Sequence, residues 1–184
     1  MTRFSITQTS IDGLLVVHRQ RVEDARGYFS RFFCAQELAE AGFNQPIAQI
    51  NQTLTRRRGS VRGIHFQHPP HGEDKFVSCL RGSVFDVAVD LRRGSPTFLQ
   101  WHAETLSADN ARSLFIPKGF AHGFQTLCDD VELLYLHTAP YVRAAEGGLN
   151  PLDPALGIGW PLPFADVSDR DVAHPYLTPD FGGI

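Results

Sequence analysis

The sequence predicts an all-β protein, a double-sheet barrel or jelly roll rather than a helical bundle. Its 184 residues include 14 Phe but a single Met, and aromatic side chains suit the pleated surface of a sheet. The 16 Gly and 12 Pro are scattered along the chain. Turn signals therefore recur every 8–12 residues or so, which is typical of short strands packed as two sheets.

The first part of the chain contains three predicted strands and one helix. Residues 13–18 form an apolar run of strand length, a turn is expected at 24–27, and the aromatic segment 28–33 forms the second strand. Residues 35–41 form the best helix candidate, which Gly42 ends. Residues 48–54 alternate between apolar and polar side chains, so they predict a strand with one polar face.

The remaining chain contains further short strands and an irregular tail. Predicted strands lie at 61–67, 76–80, 83–91, 100–106, 113–116, 123–126 and 131–137, with a turn at 69–72. Residues 146–184 are rich in Pro, Gly and Asp, so we expect loops and short helical turns there. Because no repeat or linker divides the chain, we expect one domain, residues 1–184.

Composition excludes several functional classes. The net charge of −3 argues against generic nucleic-acid binding, and we interpret the run 56–58 of three arginines as a solvated hairpin turn. The sequence has no apolar run of membrane-spanning length and no signal peptide. Three widely spaced cysteines, Cys34, Cys79 and Cys128, favour a reducing compartment. We therefore expect a soluble cytoplasmic protein that binds neither nucleic acid nor membranes.

Residues 62–67 (RGIHFQ) form the first candidate functional motif. On a strand, His65 and Gln67 share one face, and Gly63 permits a bulge that turns Arg62 towards that face. A neutral histidine on a concave face is a candidate general base. From spacing alone, a hydrogen bond to a backbone carbonyl explains His65 better than catalysis does, and a solvated surface position explains Lys75 better.

A second motif resembles part of a metal-binding pattern. Pro117, Gly119 and His122 have the P-x-G-x-x-H spacing of the second cupin motif, in which the histidine is a metal ligand. The first cupin motif would need two histidines and a glutamate, but this chain has Gln67 at the matching position, and amides are poor ligands for transition metals. One alternative ligand set remains: His68, His71, His122 and Glu73. The sequence therefore argues against a catalytic metal.

Taken together, the motifs resemble the dTDP-4-dehydrorhamnose 3,5-epimerase family across essentially the whole chain. They are RGIHFQ (62–67), Lys75, RGSVFDVAVDLRRGSPTF (81–98), LSADN (106–110), IPKGFAHGF (116–124), ELLY (132–135), DPALGIGWP (153–161) and SDRD (168–171). The resemblance implies a cupin-type jelly roll, that is, a double-stranded β-helix. It also implies a homodimer that needs no metal or organic cofactor and acts on a nucleotide-linked 4-keto-6-deoxyhexose.

The implied chemistry assigns four catalytic residues. Both C3 and C5 of such a sugar are α to the C4 ketone, so each C–H can be removed to give an enolate, which requires a base, a group that stabilises the enolate oxygen, and an acid on the opposite face. By resemblance, His65 is the base, Asp171 its partner and Lys75 the oxyanion stabiliser, with His122 near the same oxygen. Tyr135 matches the proton donor.

The resemblance also assigns residues that bind the substrate. Arg26 and Arg62 match diphosphate-binding arginines, and Arg26 can reach the site of the partner subunit. The other matched positions contact the nucleotide or the sugar or frame the pocket: Phe29, Gln49, Asn51, Tyr141, Glu146 and Arg170.

Two positions depart from the family pattern. Arg31 stands where a glutamate is usual, and Leu136 stands where a lysine usually follows the catalytic tyrosine. Arg31 places a donor where an acceptor is expected near the nucleoside, so a CDP- or GDP-linked sugar is an alternative to the TDP-linked one. Epimerisation at C3 or C5 alone is a second alternative. A metal-dependent cupin enzyme and a non-catalytic sugar-binding cupin are the remaining classes.

Overall fold

A computed structural model describes residues 2–184. Its strands are β1 (Phe4–Gln8), β2 (Leu15–Arg19), β3 (Arg21–Asp24), β4 (Gly27–Ser30), β5 (Gln49–Thr55), β6 (Ser60–Gln67), β7 (Lys75–Arg81), β8 (Ser83–Asp90), β9 (Trp101–Ser107), β10 (Arg112–Ile116), β11 (Phe120–Thr126), β12 (Val131–His137), β13 (Glu146–Gly148) and β14 (Asp166–Val167). The helices are α1 (Ala35–Ala39) and α2 (Asp169–Val172), and Arg143–Ala145 form a 3-10 turn. The predicted all-β class is confirmed.

Two sheets account for most of the strands. The first sheet has the order β1-β2-β10-β7-β12-β5, and the second has the order β13-β6-β11-β8-β9. Neighbouring strands are antiparallel, except that β14 pairs with β6 in parallel. Strands β3 and β4 form a separate hairpin. The long-range order of both sheets brings β5, β7 and β12 of one sheet opposite β6 and β11 of the other, where the candidate site lies.

Apolar side chains from both sheets form the core between them. Val77 and Leu114 of the first sheet and Val84 and Phe124 of the second belong to one buried cluster. Strand β5, for which the sequence predicts alternation, lines the cavity with Asn51 and Thr53 and leaves Ile50 and Leu54 exposed, so the core is formed by apolar side chains of strands such as β2, β7 and β11. Complete burial of each such side chain contributes roughly 1.5–3 kcal/mol.

The outer face of each sheet is covered by a different segment. Around α1, Leu38 and Phe43 pack on the first sheet, where the Phe43 ring meets Phe76 and Phe115 edge-on. The tail covers the second sheet through a cluster that includes Leu149 and Leu156. No helix in residues 2–184 has the length and apolar character that crossing a membrane requires.

The structure differs from the predicted elements at three places near the N-terminus, one of which is β3 (Arg21–Asp24), a strand that was not predicted. Strand β1 had no counterpart in the prediction, because it lies at a sheet edge and four of its five side chains are exposed, so it shows no apolar alternation. The predicted strand 28–33 ends at Ser30. Beyond it, Phe32 instead packs under the guanidinium of Arg19, 3.9 Å from the ring centroid.

The bulge expected at Gly63 is confirmed. In the pairing of β6 with β11, His65 is opposite His122, whereas Arg62 is opposite Phe124, so two residues of β6 face Gly123 alone. Gly63 has a φ of 110°, and a Cβ atom there would lie 2.6 Å from the Cα atom of Gly123. The bulge therefore requires glycine, and it brings both Arg62 and His65 to the cavity wall.

Candidate active site

A cavity of about 940 Å³ lies between the two sheets and is partly closed by α2. The structure brings eight of the predicted site residues together in its wall: Asn51, Arg62, His65, Lys75, His122, Tyr135, Arg170 and Asp171. They come from five strands and one short helix, so the long-range sheet order, and no single motif, assembles the site.

His65 and Asp171 form a hydrogen-bonded pair across 106 residues of sequence. His65 Nε2 lies 2.7 Å from Asp171 Oδ1, and the Gly63 N–H donates to Asp171 Oδ2 at 3.2 Å. Ser168 caps α2 by accepting a hydrogen bond from the Asp171 N–H. The cap and the bulge thus fix the carboxylate, which in turn orients the imidazole.

Asp171 remains ionised at neutral pH. Burial by itself raises the pKa of the Asp171 carboxyl, but the hydrogen bond and charge of His65 and the Gly63 N–H together lower it to about 2. A carboxylate that is charged throughout the physiological range stabilises an imidazolium, so His65 is well placed to accept a proton.

Tyr135 lies on the opposite wall of the cavity. It belongs to β12 of the first sheet, whereas His65 belongs to β6 of the second. Its hydroxyl is 3.5 Å from Thr53 Oγ1, and burial raises the pKa of Tyr135 well above its ordinary value. The phenol therefore carries its proton at neutral pH, as a proton donor must.

His122 forms a second histidine–aspartate pair. Its Nε2 lies 2.8 Å from Oδ1 of Asp86, which is fully buried. Within residues 2–184, the other oxygen of Asp86 has no hydrogen-bond partner. The His122 ring meets Tyr135 edge-on, with the centroids 6.1 Å apart, so this pair supports the wall behind the tyrosine.

Lys75 is held at the cavity wall by two contacts. Its Nζ lies 3.3 Å from Glu73 Oε1 and 3.5 Å from the backbone oxygen of His65. Glu73 also accepts a hydrogen bond from His137 Nδ1 at 2.8 Å. Burial opposes ionisation of Glu73, but the hydrogen bond from His137 and the charge of Lys75 outweigh it, so the pKa of Glu73 is lowered.

Several predicted binding residues lie outside this cavity in the single chain. Arg26 and Phe29 project from the β3–β4 hairpin, where Arg26 pairs with Asp24 at 2.6 Å and both side chains are exposed. Arg31 is bonded to Glu37 at 2.5 Å, away from the cavity. Their assignment as substrate-binding residues stays a prediction.

Three other predicted residues form a chain of contacts outside the cavity lining. Gln49 Oε1 accepts from the Tyr141 N–H at 2.6 Å, and the Tyr141 hydroxyl donates to Glu146 at 2.9 Å. Glu146 also accepts from Arg170, which belongs to the cavity wall. These contacts link the predicted nucleotide-binding residues to Arg170, which lies beside His65 and Asp171.

Sequence reasoning missed three residues that the structure places around the tyrosine. Thr53 follows Asn51 by two residues on β5, His137 follows Tyr135 by two residues on β12, and Asp86 is a buried acid within an apolar strand. The two-residue spacing was a usable signal for Thr53 and His137, because positions two apart on a strand share a face.

The donor groups fit a metal ion poorly. His65, Asp171 and His174 place their ligand atoms within 4.8 Å of one another, but the Arg170 guanidinium lies 3.1 Å from His65 Nε2 and 3.6 Å from Asp171. A fixed cation at this distance opposes a second one. In the alternative set His68, His71, His122 and Glu73, the structure instead pairs His122 with Asp86 and Glu73 with His137.

Comparison with known proteins agrees with this geometry. A family model for dTDP-4-dehydrorhamnose 3,5-epimerase matches residues 8–179. A dTDP-4-dehydrorhamnose 3,5-epimerase of Sinorhizobium fredii is 41% identical over 169 residues, covering 91% of this chain and 87% of the relative. A dTDP-4-dehydrorhamnose 3-epimerase of Streptomyces niveus is 41% identical over 162 residues, covering 88% and 78% of the two chains.

A solved structure supports the same assignment. The Legionella pneumophila dTDP-6-deoxy-D-glucose-3,5-epimerase, in complex with dTDP-4-keto-L-rhamnose, superposes with a TM-score of 0.90 at 39% identity, covering 94% of this chain and 92% of that one. The match confirms the expected cupin-like jelly roll, and the relatives confirm the expected enzyme class, an isomerase that epimerises nucleotide sugars. The chain therefore belongs to the dTDP-4-dehydrorhamnose 3,5-epimerase family.

Proposed function

We propose that this protein epimerises dTDP-4-dehydro-6-deoxy-D-glucose at C3 and C5 to give dTDP-4-dehydro-L-rhamnose, without a cofactor. One observation carries the proposal: His65, hydrogen-bonded to Asp171, and the protonated Tyr135 lie on opposite walls of one cavity. Inversion at a carbon requires a base on one side and an acid on the other.

The reaction proceeds at each centre through an enolate. The His65 imidazole takes the proton from C3 or C5, and the electron pair of the broken C–H bond passes to the C4 oxygen. The Lys75 ammonium stabilises the negative charge that develops there. Tyr135 then gives its proton to the opposite face of the same carbon, which inverts the centre. His65 loses its proton to solvent, and Tyr135 regains one.

Positive charge at the cavity supports binding of a nucleoside diphosphate. Arg62 and Arg170 line the cavity, and planar guanidinium groups suit the paired oxygens of a diphosphate. We also propose a homodimer, in which Arg26 on the exposed β3–β4 hairpin reaches the cavity of the partner subunit. The exposed aromatic side chains of Tyr28 and Phe29 on this hairpin support an interface there.

The alternative functions differ in nucleotide and in the number of centres inverted. Arg31 is hydrogen-bonded to Glu37 in the single chain, and the relatives are named for dTDP-linked sugars, which favours the TDP-linked substrate over a CDP- or GDP-linked one. The relative from Streptomyces niveus is named as a 3-epimerase, so epimerisation at C3 alone is the second candidate. The four catalytic residues suit either outcome.

The organisation and location of the enzyme are also proposals. Residues 1–184 form one domain, and the enzyme works in the cytoplasm. The three cysteines are free thiols, which suits a reducing compartment.

The deciding experiment follows dTDP-4-dehydro-6-deoxy-D-glucose by NMR during incubation with the enzyme in D₂O. We expect deuterium at both C3 and C5, and the product is trapped as dTDP-L-rhamnose by a downstream reductase. Deuterium at one carbon alone would establish the single-centre alternative. No exchange by the folded protein would contradict the proposed substrate and lead next to CDP- and GDP-linked 4-keto sugars.

A His65→Ala variant tests the assignment of the base in the same assay. Because no other group in the proposal takes the C–H proton, we expect exchange to cease at both carbons while the affinity for dTDP, measured by calorimetry, changes little. Exchange that survives in this variant would show that another residue is the base.

A further inference from the structure

His137 occupies a place at the cavity wall that none of the proposed catalytic roles uses. It ends β12, two residues after Tyr135, and its backbone partner on β7 is Lys75. Partners in an antiparallel pair turn their side chains to the same face of the sheet. Tyr135, His137 and Lys75 accordingly all line the cavity.

Glu73 holds both His137 and Lys75. One carboxylate oxygen is 2.8 Å from His137 Nδ1, and the other is 3.3 Å from Lys75 Nζ. All three side chains are at most 14% exposed, so these contacts are shielded from water. The lowered pKa of Glu73 agrees with an ionised carboxylate between two donors.

The contact with Glu73 fixes which nitrogen of His137 faces the substrate. An ionised carboxylate accepts hydrogen bonds and donates none, so Nδ1 carries the proton, and in the neutral ring Nε2 is a bare acceptor. Within residues 2–184, Nε2 makes no protein hydrogen bond. The ring itself is stacked on Tyr135, with centroids 6.0 Å apart and planes at 22°.

We propose that His137 is a further substrate-binding residue of this site, whose Nε2 accepts a hydrogen bond from a hydroxyl group of the hexose. Glu73 is a positioning residue: it sets the tautomer of His137 and also holds the Lys75 ammonium in position. The inference rests on the proposed function, since it takes the ligand to be a nucleotide-linked hexose. It adds a sugar contact on the wall that carries the proton donor.

Nitrogen NMR of the histidine-labelled protein tests the tautomer and the contact without turnover. The probes are dTDP-glucose, which has sugar hydroxyl groups but no ketone, and dTDP alone. We expect the free protein to show His137 protonated at Nδ1 and bare at Nε2, and the Nε2 signal to move with dTDP-glucose and not with dTDP. An Nε2 chemical shift that does not change on addition of dTDP-glucose, or that changes equally with dTDP, would overturn the proposal. A proton on Nε2 in the free protein would overturn it as well.

A His137→Phe variant tests the contribution of the contact to catalysis. The phenyl ring preserves the stacking on Tyr135 but removes both nitrogens, so we expect kcat/KM for the 4-keto sugar to fall about 10- to 100-fold while dTDP affinity is retained. His102→Phe is the matched control, because His102 lies near Glu104 on β9, outside the cavity. Equal kcat/KM values for the two folded variants would overturn the proposal.

A Glu73→Gln variant tests the positioning role. An amide offers both a donor and an acceptor, so the proton of His137 is no longer confined to Nδ1, and we expect both tautomers in the nitrogen spectrum. Glu104→Gln is the control and should leave the His137 signals unchanged. A His137 tautomer that is unchanged by Glu73→Gln would overturn this role.

These outcomes are separable from failure of the proposed function. Wild-type protein that exchanges no deuterium refutes the proposed reaction, whatever the His137 signals do. If the wild-type protein exchanges deuterium but the His137 signals do not change with dTDP-glucose, only the inference about His137 is refuted.

Discussion

Tyr135 is prepared for its proposed role by burial rather than by a charged partner. Its hydroxyl has one long contact, to Thr53, and its surroundings disfavour the phenolate, which raises its pKa. The neutral phenol is therefore the resting form, from which the proposed proton donation starts. Proton donation and recovery of the proton both depend on this one side chain.

Tyr135→Phe should separate proton abstraction from proton donation. Because His65 and Asp171 are untouched, we expect deuterium exchange to continue, whereas epimerised product should fall by roughly 10²- to 10⁴-fold. NMR in D₂O measures the first quantity and the reductase-coupled assay the second. An unchanged rate of product formation would exclude Tyr135 as the acid.

Asp171 should contribute to stability in a pH-dependent way. Its pKa is lowered from 3.8 to about 2 in the folded protein, a difference worth roughly 2 kcal/mol. Because the folded carboxyl binds a proton more weakly than the unfolded one, this contribution is complete above a pH of about 4 and is lost as the pH falls towards about 2.

The measurement for this prediction is urea unfolding of Asp171→Asn and of the wild type across acidic pH. We expect the variant to be less stable by about 2 kcal/mol near neutral pH. The difference should narrow between about pH 4 and pH 2. If the difference in free energy of unfolding between variant and wild type does not depend on pH, the charge of the Asp171 carboxylate contributes nothing to stability.

At the level of single residues, the sequence predicted the members of the cavity better than their contacts. His65, Lys75, Tyr135 and Asp171 were found through a family resemblance that preserves residue types in order along the chain. His137 was not, because it lies where the chain departs from the family pattern. Its role depends on Glu73, 64 residues away, and such a contact is visible only after the strands are paired.

The bulge in β6 is the element that positions His65, the proposed base. A side chain at Gly63 would meet backbone atoms of β11, with 2.6 Å to Gly123 Cα and 2.7 Å to the His122 oxygen. A backbone shift of either strand that relieved this clash would move His65 or His122, which are paired opposite each other. The geometry of the site is therefore tied to the absence of one methyl group.

Gly63→Ala should both destabilise the protein and displace His65, the proposed base. We expect a loss of roughly 3 kcal/mol or more, from the positive φ and the backbone clash combined. Gly94→Ala is the control, since Gly94 also has a positive φ of 73° but has open space around it, and should cost about 1 kcal/mol. Urea unfolding checks both values, and equal losses would show that the close approach to β11 is relaxed without cost.

Among the elements, the sequence predicted apolar strands well and edge or tail structure poorly. Strands β6 to β12 were found because their inward side chains alternate or run together. Strand β1 exposes most of its side chains, and β14 has only two residues, so neither produces a periodic pattern. These elements owe their structure to pairing, β1 with β2 and β14 with the distant β6, which their own local sequence does not encode.

For the whole molecule, the proposed reach of Arg26 into the partner's cavity is testable by mixing inactive variants. Arg26→Ala and His65→Ala subunits, unfolded together and refolded, should form mixed dimers in which one of the two sites has both residues intact. We expect about a quarter of wild-type activity if subunits pair at random. Activity no higher than that of the separate variants would contradict a role for Arg26 across the interface.

The tail also has a consequence for how the enzyme fails on heating. Asp171 and Arg170 belong to α2, whose only buried side chain is Asp171, whereas the rest of the tail packs on the second sheet through the cluster around Leu149 and Leu156. Segments of this kind detach by local unfolding at a lower free-energy cost than the core. Heat inactivation should then set in below the melting temperature of the sheets, as a reversible release of the base from its partner.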